Sequence, residues 1–168
     1  DNSGVEILSS ERLSKSDPHG TGCVFSSAIT AGLALGWKTL DSVKAAKDFV
    51  GQAILGEVSS GQGKASVEPL SSLYREMEEM RAMEEIKRAI QLFREEKIGQ
   101  LIPEVQTNIG LALRNAKNHG DVLAIPGRII KNGDDIFTGA EPAFGGSRHV
   151  ANIVLTVMRH DPKKRAVM

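Results

Sequence analysis

The sequence predicts a mixed α/β chain made of two units, and three observations carry that prediction. Residues 1–55 open with one apolar alternation and continue with two helical patterns. Residues 56–72 hold Gly56, Gly61, Gly63, Pro69 and five serines, a composition that interrupts regular structure. From Ile98 onward, short apolar runs are punctuated by glycine and proline until a capped helical pattern near the end. A chain of 168 residues is long enough for one ordinary domain or two small ones.

Taken in order, Gly4-Val5-Glu6-Ile7-Leu8 alternates apolar and polar side chains and predicts a strand. Residues 14–19 read as a loop, with Asp17-Pro18 as a turn signal. Val24, Ala28, Ala31 and Leu35, flanked by Ile29 and Leu33, predict a buried helix from Gly22 to Leu35 that Gly36 stops. Thr39 is the expected cap of a second helix, with Asp41 and Ser42 in its first turn and Leu40, Val43, Ala46, Val50 and Ile54 on its apolar face. This first region therefore reads strand, helix, helix.

Beyond the interruption, Leu73, Met77, Met80, Ile86, Ile90 and Phe93 recur at helical spacing between Ser72 and Lys97, with charge on the other face. The simplest reading is a surface helix docked on the unit after it; its methionines would also suit an adaptable contact surface. Asn108–Leu113, Asp121–Ile125, Ile129-Ile130 and Ile136-Phe137 are candidate strands, with Asn132-Gly133 as a tight hairpin turn between the last two. Ser147 is a good N-cap for a helix through Met158 with Val150, Ile153, Val154 and Val157 apolar, and His160-Asp161-Pro162 ends it. No internal repeat is present.

Bulk properties exclude several classes. Lys and Arg number 21 and so do Asp and Glu, so bulk charge does not drive nucleic-acid binding. No apolar run approaches the roughly 20 residues of a membrane span, so no membrane partner is expected. A single cysteine fits a reducing compartment, hence a cytoplasmic location, and no secretory signal or metal-ligand cluster is assigned. There is no initiator Met and no terminating signal, so both ends read as cuts.

Two stretches carry chemistry. In the first, Gly20-Thr21-Gly22-Cys23 runs directly into a helical pattern. Glycines let backbone N–H groups approach a phosphate at a helix N-terminus, and Cys23 would put a thiol at the positive end of the dipole. Spacing alone favours a simpler reading, a Gly-rich loop before a helix that holds a small buried cysteine. In the second, Arg128 follows Pro126-Gly127, and His149 follows Gly145-Gly146-Ser147-Arg148 at a helix start. Arg offers a fixed fork for phosphate oxygens, and His can donate to an anionic leaving group. Residue types alone favour the plainer pair, a surface arginine and a histidine bonded to backbone. His19 reads as positional; His119, Arg148, His160 and Lys163-Lys164-Arg165 read as solvated surface.

The string HGTGCVFSSAITAGLALG, with DSVKAAKDFVGQAI and GQGKASVEPL, resembles the C-terminal part of hydroxymethylpyrimidine/phosphomethylpyrimidine kinases, which are ribokinase-like. The resemblance covers residues 1–68 and implies the C-terminal fragment of an αβα domain. It implies that Gly20, Thr21 and Gly22 form an anion hole and that Cys23 stands at the general base, with ATP and Mg²⁺ as co-substrate and cofactor. The family's pyrimidine pocket has no counterpart here, so this piece alone is not expected to phosphorylate. IGQLIPEVQTNIGLAL, DVLAIPGRII, PAFGGSRHVANIVLTVMRHDP and RAVM resemble the ThiN-type thiamine-phosphate synthases, over residues 76–168 after a linker at 69–75. That resemblance implies Arg128 and His149 as the essential pair and an incomplete second α/β domain. The two in this order resemble fused enzymes, which would condense hydroxymethylpyrimidine diphosphate with thiazole phosphate to thiamine phosphate and pyrophosphate and would self-associate as a homo-oligomer. The alternatives are a non-catalytic ThiN-like sensor of thiamine phosphates and an inactive fragment.

Overall fold

The computed structural model describes residues 4–13, 17–59 and 61–168. It divides into two compact units, Asp1–Glu76 and Met77–Met168. Each is mixed or helical as its sequence pattern requires.

In the first unit, helix α1 (Thr21–Ala34) and helix α2 (Thr39–Leu55) form a hairpin. Gly36 makes the stop, with φ +83°, while Gly36 N–H donates to the Leu33 carbonyl and Trp37 N–H to the Gly32 carbonyl, both at 3.0 Å. These two bonds satisfy carbonyls that the end of a helix otherwise leaves open. The helices meet where Gly32 faces Ser42: a Cβ at Gly32 would stand 2.8 Å from Ser42 Oγ, so only glycine permits the approach. Ser42 Oγ turns inward and donates to the Lys38 carbonyl (3.1 Å).

Three expectations need correction in this unit. Residues 4–8 form no strand, and Val5 and Ile7 are 91% and 85% exposed. A strand exists through hydrogen bonds to a neighbour, and no described segment of the unit pairs there. The stretch is held instead by Lys47 Nζ donating to the Leu8 carbonyl (2.9 Å) and by Lys44 beside Glu6 (3.6 Å). Helix α1 is also not buried along its apolar residues; of its residues only Gly32 is, because a single neighbouring helix covers one narrow seam of small side chains. Lys38, not Thr39, is the N-cap of α2, in an extended conformation and without a side-chain cap bond. Of the loop expected at residues 14–19, residues 14–16 lie outside the described residues.

The Gly- and Ser-rich stretch is tied down rather than free. Val58 and Ser66 exchange backbone bonds at 2.9 Å, His19 N–H donates to the Ala65 carbonyl (2.7 Å), and Val67 N–H donates to the His19 carbonyl (3.1 Å). Helix α3 (Ser71–Glu95) already starts inside the segment expected as linker, and the division between units falls within it.

In the second unit, α3 contributes Ala82, Ile86 and Ile90, spaced four apart on one buried face. All strand pairs are antiparallel. Strands β1 (Gln106–Thr107), β4 (Ile129–Asn132) and β5 (Asp135–Thr138) form one sheet in the order β1-β4-β5. Strands β2 (Gly110–Ala112), β3 (Val122–Ala124), β6 (Ala143–Phe144) and β7 (Ala166–Val167) form the other, in the order β6-β3-β2-β7.

The strand period of two splits the core. Leu111, Leu113, Leu123 and Ile125 join Ile86 and Ile90 of α3 in one cluster. Ala112, Val122 and Ala124 join Val150, Ala151 and Val154 of helix α4 (Arg148–His160) in the other. Both faces of β2 and β3 are thus covered, which explains their continuous apolar runs. Each large side chain buried this way contributes about 1.5–3 kcal/mol. The hairpin turn of β4 and β5 lies one residue later than expected. Asn132 pairs with Asp135, so Gly133-Asp134 form the two-residue loop, and Gly133 supplies the positive φ (+63°) at its first position.

Two polar groups lock the surroundings. Asp121 is 4% exposed, and its Oδ2 accepts from the Lys117 and Asn118 N–H groups (2.8 and 3.0 Å). Arg165, expected as solvated surface, is partly covered: it donates to the Ala112 carbonyl (2.9 Å) and reaches Glu78 Oε1 (3.4 Å), the atom that also accepts from Arg114 N–H.

Gly110 is the seat of α4, since a Cβ there would run into Val150 and Val154. Gly110→Ala is expected to destabilise this unit by about 1–3 kcal/mol through overpacking, measured as a lower urea midpoint. Asp121→Ala strands two backbone donors and is expected to cost about 1–3 kcal/mol in the same measurement.

Candidate functional site

The first candidate site is built by the turn into α1. Gly20 has φ +95°, and its carbonyl accepts from Val24 N–H (2.9 Å). Gly20 offers no side chain as a cap, so the N–H groups of Thr21, Gly22 and Cys23 head the helix without intrahelical acceptors. The backbone bonds from His19 to Ala65 and Val67 hold this turn from behind. Thus the structure joins the two segments of the first resemblance, residues 19–23 and 65–67. An open cleft of about 960 Å³ lies in front, lined by Leu8, Asp17, Thr21, Gly22, Phe25 and Lys47 among others. Cys23 is exposed and is not among the residues lining the cleft. The buried small cysteine of the simpler reading is therefore excluded.

The second candidate site gathers at one end of β3. Ala124 is the last residue of that strand, and Ile125-Pro126-Gly127 carries the chain to Arg128, just before β4. Gly127 takes φ +86°, which turns the chain sharply there. Arg128 is exposed, and its guanidinium makes no hydrogen bond or ion pair among the described residues.

After β6, Gly145 N–H donates to the Val122 carbonyl (2.9 Å) at the start of β3, and the chain then folds back so that Gly146 lies against Ala124. Gly145 has φ +71°, and Gly146 N–H donates to the Ala143 carbonyl (3.0 Å) in a tight turn. A Cβ at Gly146 would collide with the carbonyl oxygens of Ala124 and Ala143, so glycine is required for this seat. Ser147 then caps α4, its Oγ accepting from Val150 N–H (3.4 Å). Arg148 and His149 are exposed in the first turn, and the His149 ring has no hydrogen-bond partner among the described residues. Val150 sits over Gly110, the register partner of Ala124. Gly146 and Val150, on either side of the start of α4, thus lie at the Ala124–Gly110 pair, from which the chain runs on four residues to Arg128; Arg128 and His149 make no hydrogen bond to each other.

Sequence reasoning missed three side chains here: His119, Asn152 and Asn108. His119, expected as exposed, is half-buried, and its Nε2 lies 2.7 Å from Oδ1 of Asn152, which is close to one helical turn past His149. The Asn118-His119-Gly120-Asp121 run carried the signal, because Asn118 accepting from Gly120 N–H (2.8 Å) is a capping turn that fixes the loop. Asn108, which bonds to the Ile125 and Gly127 carbonyls, carried no such local signature.

Among the described residues, no group of three or more His, Cys, Asp or Glu side chains could hold a metal ion. Among the described residues, no helix is long and apolar enough to cross a membrane.

Comparison with known proteins gives concordant results. The family model "Thiamine-phosphate synthase ThiN" matches residues 85–168, and "Phosphomethylpyrimidine kinase" matches residues 1–68. The bifunctional thiamine biosynthesis protein ThiDN of Methanocaldococcus jannaschii is 36% identical over 151 residues, covering 89% of this chain and 34% of that protein. Thiamine-phosphate synthase ThiN of Methanothermobacter thermautotrophicus is 34% identical over 87 residues, covering 51% of this chain and 46% of that protein. A crystal structure of the C-terminal domain of a phosphomethylpyrimidine kinase is similar at 37% identity and a TM-score of 0.48, covering 53% of this chain and 50% of that one. The chain spans about a third to a half of the length of these curated relatives. With half of its residues matched by the synthase model, and kinase sequence ahead of them, the chain belongs to the ThiN family of thiamine-phosphate synthases.

Proposed function

We propose that this chain is part of a bifunctional enzyme of thiamine biosynthesis, a pyrimidine kinase followed by a thiamine-phosphate synthase. The second unit would condense hydroxymethylpyrimidine diphosphate with thiazole phosphate, giving thiamine phosphate and pyrophosphate. The observation that supports this reading is the free Arg128 guanidinium on the chain leaving β3, the strand against which the Gly146 turn into α4 rests.

The demanding step is loss of pyrophosphate from the methylene carbon on the pyrimidine ring. Negative charge gathers on the departing oxygens while positive charge spreads over the ring. Cations and N–H donors aimed at those oxygens lower the barrier most where water is excluded. Arg128 offers a two-pronged donor for the diphosphate. The first turn of α4 offers N–H groups, which Gly145, Gly146 and Ser147 let an anion approach. His149 would donate a proton or a hydrogen bond to the leaving oxygen.

In the first unit, Gly20, Thr21 and Gly22 would cradle the phosphate transferred from ATP, and Cys23 would act as base toward the substrate hydroxyl. A Mg²⁺ that accompanies such phosphates is held chiefly by substrate oxygens and water. The substrates are small molecules, and the exposed free thiol of Cys23 suits a reducing cytoplasm.

Arg128→Ala in the full-length protein is expected to slow formation of thiamine phosphate by a few hundred-fold, the equivalent of about 2–4 kcal/mol for one lost donor. His149→Ala should fall in the same direction, whereas Arg148→Ala should retain turnover within a few fold. Arg128→Ala turnover within a few fold of the parent would overturn the assignment. Binding of thiamine phosphate with no turnover by the parent would instead identify a sensor.

A further inference from the structure

Two neighbouring chain segments cross between the two sheets of the second unit with unequal lengths. Thr107 pairs with Ile129 in one sheet, and Gly110 pairs with Ala124 in the other. Between those registers one segment has two residues, 108 and 109, and the facing segment has four, 125 to 128. The two-residue excess is a bulge, the kind of irregularity that re-aims a side chain at a sheet edge. Here the residue at its far end is Arg128.

A bulge leaves backbone groups without ladder partners, and one side chain replaces them. Asn108 Nδ2 donates to the carbonyls of Ile125 and Gly127, both at 3.0 Å. Its Oδ1 accepts from Ile109 N–H (2.8 Å) and from Ile125 N–H (3.3 Å). Both amide hydrogens and both lone pairs are therefore used, and exchanging the amide N and O would set like against like at every contact. No other residue type has two donors and an acceptor in this reach: Asp lacks the donors, and Gln sets them one methylene further out.

We infer that Asn108 is a positioning residue for the synthase site, fixing the Pro126-Gly127 bulge so that Arg128 is presented to the anion at the strand end. The inference rests on the anion-binding reading of Arg128. Asn108 itself touches no substrate; it acts through the turn.

The test is pyrophosphate binding to the full chain by calorimetry, on the parent, Asn108→Asp, Asn108→Ala, Arg128→Ala and each double variant, with circular dichroism to establish folding. Asn108→Asp keeps the size and the acceptor but replaces two donors with a charge facing two carbonyls. It is expected to weaken binding about tenfold, the equivalent of about 1.4 kcal/mol. Added to Arg128→Ala it should weaken binding no further, because its effect passes through Arg128. Asn108→Ala supplies the same comparison if the Asp variant does not fold. Asn108 variants that bind like the parent while Arg128→Ala does not, or that weaken Arg128→Ala equally, would overturn the positioning role and leave the anion site intact. Parent-like binding by Arg128→Ala would overturn the anion-site reading itself.

Discussion

The second unit depends on a mismatch of chain length between two adjacent crossings. Ladder registers are set on both sides, Thr107 with Ile129 and Gly110 with Ala124, so the two extra residues between Ala124 and Ile129 must leave the sheet. Pro126 and Gly127 are suited to that exit: proline gives up no needed N–H, and glycine accepts φ +86°. The displaced backbone would be costly without partners, and the Asn108 amide supplies them. Arg128, the next residue in the chain, inherits a defined place at a sheet boundary rather than at the tip of a loose loop.

Helix α4 meets that boundary through two absences of side chain. Gly110 makes room for Val150 and Val154, and Gly146 makes room for the Ala124 carbonyl. Both glycines lie at the Ala124–Gly110 pair, so the helix start is fixed to the strand end from which the chain runs on to Arg128. Packing of Val150, Ala151 and Val154 on Ala112, Val122 and Ala124 extends that contact along the same face of the sheet. Buried apolar contact supplies the stability, and the proposed site lies on the turns. That separation is usual where a site is carried on loops above a rigid sheet.

Much of this was legible from residue patterns. The helices of both units, the four longer strands, the Gly36 stop and the Ser147 cap follow from local chemistry, which acts within a few residues. Features governed by distant partners were not legible. Residues 4–8 alternate like a strand but lack a pairing strand among the described residues of their unit. Arg165 stands in a basic run, yet pairs with Glu78, 87 positions away. Asn108 looks like an ordinary polar residue beside a strand, because its partners lie 17 and 19 positions on. For the proposed site, the residue types of Arg128 and His149 were readable, but the seat of the turn into α4 on the Gly110–Ala124 pair was not, because it depends on strand register.

Whether the Arg128 turn and the start of α4 form one anion site is tested most directly by a pyrophosphate titration read from amide proton and nitrogen shifts. A single site predicts that the amides of Gly127 and Arg128 and those of residues 147–150 shift together along one saturation curve. Movement of only one group, or two curves with different affinities, would contradict it.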